Sequence, residues 1–183
     1  MSIGDAEIKT QERVIRFFKD PEILGYQYIG NLSDYQNKNI KEDRLRQYLR
    51  LKGYADKLID AAVMQLQREA GNLSRGVYDA NKTVYSRLKY GIPVSESPEK
   101  PPVTVELIDE VNPLNNDFAI AEEVTGVEQS EKRPDLVVYL NGIAVAVIEL
   151  KRSSVSVSEG IRQNLTNQRN AFIQSFFTTM QFC

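Results

Sequence analysis

Residues 134–151, P-D-L-V-V-Y-L-N-G-I-A-V-A-V-I-E-L-K, constrain this chain more than any other stretch. Two apolar runs rich in Val and Ile meet at Asn141-Gly142, a turn signal, so the segment reads as two adjacent strands. The second run, I-A-V-A-V-I, is apolar at every position, which argues burial on both sides of a sheet. Charge appears only at the ends: Asp135 where the first strand begins, Glu149 and Lys151 where the second stops. A charge that terminates a buried strand needs a partner or a metal. The fold must therefore bury this hairpin, and its open end is where chemistry can sit.

Residues two apart on a strand share a face, so Glu149 and Lys151 point one way and Leu150 the other. Whether Asp135 joins them depends on the turn. A two-residue turn pairs Leu140 with Ile143 and Asp135 with Ile148, which turns Asp135 away from Glu149. A three-residue loop pairs Asp135 with Val147 and makes Asp135 and Glu149 diagonal neighbours, about 7–8 Å apart at the backbone. The three-residue loop, or an equivalent bulge in either strand, is the expectation.

Two carboxylates and a lysine so arranged suit metal-dependent phosphodiester hydrolysis. Asp135 and Glu149 would bind one or two divalent ions, with the Leu150 backbone carbonyl as a further ligand. The metal would lower the pKa of a bound water and polarise the phosphate. Lys151 would orient or help deprotonate that water, or stabilise the pentacovalent phosphate. The chain has no histidine and a single cysteine, Cys183. His-ligated zinc and Ser-His or Cys-His nucleophiles are excluded, and oxygen ligands favour Mg2+ or Mn2+. Against this stands the commoner fate of an isolated Glu-x-Lys, a solvated strand face with a weak ion pair.

The rest of the chain supplies helices before the strands. Apolar spacing predicts helices at 8–19, 39–51 (stopped by Gly53), from an Asp56 N-cap to near Gly71, and at 75–90. A short strand is placed at Tyr26–Ile29. Residues 92–102, with four prolines, read as a linker or surface loop. Strand patterns follow at 103–108 and 118–124, then the hairpin. A helix is expected at 157–172, opened by a Ser156/Glu159 capping box, and 176–182 begins another strand. The expected fold is α/β: a central mixed sheet of about five strands flanked by helices, with an N-terminal helical annex. All 183 residues form one domain, with a helical part at 1–91 and a sheet-helix core at 103–183. The net charge of −2 and a pI near 5.4 require any nucleic-acid contact to come from local clusters or partner domains. No run of eighteen apolar residues and no signal peptide is present; with one cysteine, the reading is a cytoplasmic protein without a membrane partner. The end at T-T-M-Q-F-C reads as the front piece of a longer protein, or as only the ordered part of one.

The strings T-Q-E-R-V-I-R-F-F, N-D-F-A-I-A-E-E-V, K-R-P-D-L-V-V-Y-L-N-G-I-A-V-A-V-I-E-L-K-R and S-E-G-I-R-Q-N-L-T-N-Q together resemble the restriction (R) subunit of type I restriction-modification enzymes. The resemblance implies a PD-(D/E)xK nuclease with a restriction-endonuclease-like fold, and Asp135, Glu149 and Lys151 match its three catalytic positions. Its glutamine motif falls on Gln163, with Asn167 at the usual tyrosine. Glu12 on the first helix is a candidate further acid. Arg152, with Lys132, Arg133, Arg162 and Arg169, would form a rim for phosphates. The resemblance also implies double-stranded DNA as substrate, and methyltransferase and specificity subunits as partners. ATP would serve the motor of the full protein; this chain has no G-x-x-x-x-G-K-[ST] loop to bind it. Two other readings compete: a non-catalytic DNA-binding or docking module that keeps the fold, and a related nuclease of DNA repair.

Overall fold

A computed structural model of the chain describes residues 3–32, 38–122, 134–150, 157–167 and 174–182. Its elements are α1 (Ile3–Lys19), β1 (Gln27–Asn31), α2 (Glu42–Leu51), α3 (Asp56–Ala70), α4 (Val77–Tyr90), β2 (Ile92–Val94), β3 (Val103–Val105), β4 (Phe118–Glu122), β5 (Leu136–Leu140), β6 (Ile143–Ile148) and α5 (Val157–Asn167). The α/β class is as expected, but the central sheet has four strands, in the order β1-β4-β5-β6. It is mixed: β1 runs parallel to β4, and β4-β5-β6 is an antiparallel meander. No helix among the described residues is long and apolar enough to cross a membrane.

The strand expected at 176–182 is reduced to one bridge between Phe182 and Ala146. Residues Gln174–Thr178 form a 3₁₀ turn instead. Side chains compete successfully for that segment's backbone: Asn39 Nδ2 donates to the Ser175 carbonyl at 3.1 Å, and Asn81 Nδ2 to those of Phe177, Thr178 and Met180 at 3.3, 3.2 and 2.6 Å. Carbonyls so engaged do not join a ladder, and only the last residues reach β6.

Both sheet faces are covered, as the all-apolar hairpin requires. On one, Ala119, Ala121, Val137, Tyr139, Ala144 and Val147 lie under Phe176, Phe177 and Met180. On the other, Ile120 and Leu136 meet Ile15 of α1, with Ile148 and Leu150 beside them. A third cluster joins α2, α3 and α4 to the β2-β3 ribbon through Leu45, Leu49, Ile59, Leu66, Val84 and Val105, and Ile143 ties it to the hairpin. Fully burying each such leucine is worth about 1.5–3 kcal/mol, so this cluster is a core in its own right.

Local signals explain the helix ends. Gly53 takes φ 85° after α2, its amide donates to Arg50 O at 2.9 Å, and the Tyr54 amide donates to Leu49 O at 3.2 Å. These two bonds satisfy the last carbonyls in the manner of a Schellman stop. Asp56 is not the N-cap of α3; Ala55 holds that position without a side-chain cap, and the Asp56 carboxylate accepts from Arg50 Nε at 2.9 Å.

The expected boundaries also shift. Residues 92–102 are not all loop, because Ile92–Val94 pairs antiparallel with Val103–Val105. β1 and β4 are parallel neighbours, so the helical annex is an insertion in the crossover between them. β1 is a strand of the central sheet, and α1 packs on that sheet through Ile15.

Candidate active site

The hairpin that carries the motif closes on two residues. Leu140 pairs with Ile143, and Asn141 and Gly142 both lie in the left-handed region, at φ 52° and 82°. This is the mirror-image turn that matches strand twist, and the expected three-residue loop is not formed. The parity is instead corrected by the bulge named as the equivalent. Tyr139 pairs with Ala144 but Val138 pairs with Ala146, which leaves Val145 as an extra residue in β6. The register then runs Val137 to Val147 and Leu136 to Ile148. Continued one step, it sets Asp135 directly opposite Glu149, closer than the diagonal expected from a three-residue loop.

The side chains agree with that register. Asp135 Oδ2 accepts from the Leu150 amide at 2.6 Å, so its carboxylate reaches the segment that holds Glu149. The Leu150 side chain packs with Ile15, Ile120 and Leu136 on the α1 face, which leaves Glu149 on the opposite face with Val147. Glu149 Oε1 is buried. Leu150 was expected to offer its carbonyl; the contact described is through its amide. Beneath the pair, along the same face, lies the fully buried ring of Tyr139, with Lys41 Nζ 5.8 Å from its centroid. Burial holds the Tyr139 hydroxyl above its ordinary pKa and, with Arg44 nearby, lowers that of Lys41.

The turn is gripped from two sides. The Asn141 amide donates to Asp117 O at 2.8 Å, and Asn141 Oδ1 accepts from the Asp117 amide at 2.7 Å. Its Nδ2 donates to Leu107 O and to Asn116 Oδ1, each at 2.8 Å. A Cβ on Gly142 would stand 2.6 Å from Lys41 O and 2.8 Å from Leu45 N, so the start of α2 sits directly on the turn. Arg44 clamps Asp117 through two bonds of 2.6 and 3.0 Å. Sequence reading found the Asn-Gly signal but not these supporting residues, whose partners lie 24 to 101 positions away.

Glu122 ends β4 at the same end of the sheet, because its partner Leu136 follows Asp135 directly. Gln11 Nε2 donates to it at 2.7 Å, and so does the Tyr28 hydroxyl. It pairs with Leu136 and therefore belongs to the α1 face. Glu12 is exposed on α1 and lines, with Gln11, Arg16, Tyr28, Asn31 and Glu122, a cavity of about 590 Å³. The candidate further acid thus sits on the α1 side and not on the face of Asp135 and Glu149. Glu122 was missed because nothing in its local sequence sets it apart.

Among the described residues, no three His, Cys, Asp or Glu side chains gather into a metal-holding group. Asp135 and Glu149 form a pair of hard oxygen donors, which suits a divalent cation such as Mg2+ or Mn2+. Lys151 and Arg152 lie outside the described residues, as do Lys132, Arg133 and Arg169. Gln163 and Asn167 lie on α5 with side chains outside the description, and Arg162 is exposed there.

No curated protein matches the chain. A family model described as the type I restriction enzyme R protein N terminus matches residues 7–183. With nearly its whole length covered, the chain belongs to the family of type I restriction enzyme R protein N termini.

Proposed function

We propose that this domain is the magnesium-dependent endonuclease of a type I restriction R subunit and hydrolyses DNA phosphodiester bonds. The observation that carries the reading is the Asp135 carboxylate seated on the Leu150 amide, one step beyond the last ladder pair, Leu136 with Ile148. Asp135, Glu149 and the Leu150 carbonyl would hold Mg2+, with Mn2+ as a substitute. When bound, the ion supplies Lewis-acid chemistry at the scissile phosphate. The Leu150 amide orients the Asp135 carboxylate and spares it from rotating into solvent. Glu149, with one oxygen buried, keeps its position with little rotamer loss. Lys151 supplies the ammonium group that orients the attacking water or stabilises the phosphorane, and Gln163 and Arg152 contact the DNA backbone. ATP drives translocation in the remainder of the subunit and binds elsewhere. The partners are double-stranded DNA and the methyltransferase and specificity subunits, in the cytoplasm.

The test is cleavage of plasmid DNA by the assembled complex in Mg2+, with wild type and Glu149→Gln. The variant is expected to lose on the order of 10²–10³-fold in cleavage rate while still binding DNA. Equal cleavage by the two proteins rejects the assignment in favour of a docking module.

A further inference from the structure

The hairpin has two registers open to it. Without the bulge, Val138 would face Val145 and Asp135 would face Ile148, turning Asp135 and Glu149 to opposite sides. The sequence itself does not penalise that slip, because I-A-V-A-V-I is apolar at every step and either register buries it. Something must hold Val145 out of the ladder.

The Val145 side chain packs against the annex core, and a further segment takes its carbonyl. The amides of Gln181 and Phe182 both donate to the Val145 carbonyl, at 2.7 and 3.1 Å, and the Val147 amide donates to Phe182 O at 3.0 Å. A strap, 174–182, on the edge of β6 away from β5 thus takes the Val145 carbonyl that a regular ladder would turn toward Val138. The strap in turn is held from the annex. Asn81 of α4 donates to three of its carbonyls, Asn39 donates to Ser175 O and to Thr178 Oγ1 at 3.0 Å, and Asn39 O accepts from the Ala144 amide at 2.8 Å. Phe176, Phe177 and Met180 seal it over the sheet.

We infer that Asn81 is a positioning residue for the reaction proposed above: through the strap it holds the Val145 bulge, and so keeps Asp135 opposite Glu149. The annex thereby sets the register of the Asp135 and Glu149 pair. The inference takes its functional meaning from the nuclease reading, but its geometry is testable without it.

The experiment uses cysteine pairs in the full chain with Cys183→Ser. Directly opposed residues on paired strands have Cβ atoms within disulfide reach. Under mild oxidation, Asp135→Cys with Glu149→Cys cross-links in the otherwise native chain, and Asp135→Cys with Ile148→Cys does not. Adding Asn81→Leu lowers the 135–149 yield by about fivefold or more and raises the 135–148 yield. Deleting Val145 in the Asn81→Leu background restores the 135–149 link, because a β6 one residue shorter reaches that register with no bulge to hold. If Asn81→Leu melts below the assay temperature, Asn81→Ser takes its place. An unchanged 135–149 yield in the Asn81 variant, or no recovery on deleting Val145, overturns the inference. Cleavage by the assembled complex separates the two proposals: with the cross-links as expected, a Glu149→Gln variant that still cuts DNA removes the nuclease reading and leaves the strap in place.

Discussion

Gly142 is the residue at which backbone conformation and close packing coincide. Its φ of 82° lies where side chains are strained, and a methyl group would strike the Lys41 carbonyl and the Leu45 amide. Gly142→Ala is therefore expected to lower stability by about 2–4 kcal/mol, read as a shift in the urea midpoint at unchanged m-value. An unchanged midpoint would mean that α2 does not rest on the turn. Asn141 and Gly142 were legible in the sequence, because few residues tolerate a left-handed backbone and this pair is favoured there. Val145 was not. A bulge is legible when it breaks an alternation of polar and apolar residues, and β6 has no polar residue to break. The expectation that something must correct the parity was sound, whereas its form as a three-residue loop was not.

At the scale of elements, the loop between β3 and β4 is organised by one buried carboxylate. Asp109 accepts from the Asn112 amide at 2.8 Å, from Asn115 Nδ2 at 3.0 Å and from Lys52 Nζ at 2.9 Å. Those bonds, the Asn112 amide foremost, hold its pKa far below the ordinary carboxylate value. A depressed pKa contributes stability that is fully present above the unfolded-state value, about 3.9, and is lost as pH falls below it. Asp109→Asn is thus expected to melt earlier than wild type at pH 7, with the gap closing from about pH 4 downward. Thermal melts across that range check it, and a gap that widens in acid would contradict it. The same loop supplies Asn116 and Asp117 to the turn, so its loss should also loosen the hairpin. None of this is visible in N-P-L-N-N-D at 112–117, because the identity of an asparagine's partner is decided by the tertiary fold. The strap failed as a strand prediction for the same reason: its apolar pattern was read correctly, and Asn39 and Asn81 claimed its carbonyls.

Over the whole molecule, the class of fold was legible because strand and helix periodicities separate cleanly along the chain. The topology was not. The step from helices to strands near residue 92 looks like a boundary, yet β1 from before it completes the sheet on which α1 packs, and Ile92–Val94 pairs with Val103–Val105 across the proline-rich loop. Parallel pairing between residues 91 or 92 positions apart leaves no local trace. The consequence is that the annex and the sheet are interleaved. Leu66 is fully buried in the annex core, and Leu66→Ala there should cost about 2–5 kcal/mol. Its unfolding should carry the sheet with it, giving one transition by both far-ultraviolet dichroism and tyrosine fluorescence. Two separate transitions would show an annex that folds apart from the sheet.

Whether Asp135 and Glu149 hold one cation between them decides what this domain does. Titration of the full chain with Mn2+, followed by electron paramagnetic resonance of the free ion, measures this without DNA or ATP. The expected result is a site in the wild-type protein that disappears in the Asp135→Asn, Glu149→Gln double variant and is displaced by excess Mg2+. Undiminished Mn2+ binding by the double variant would contradict it.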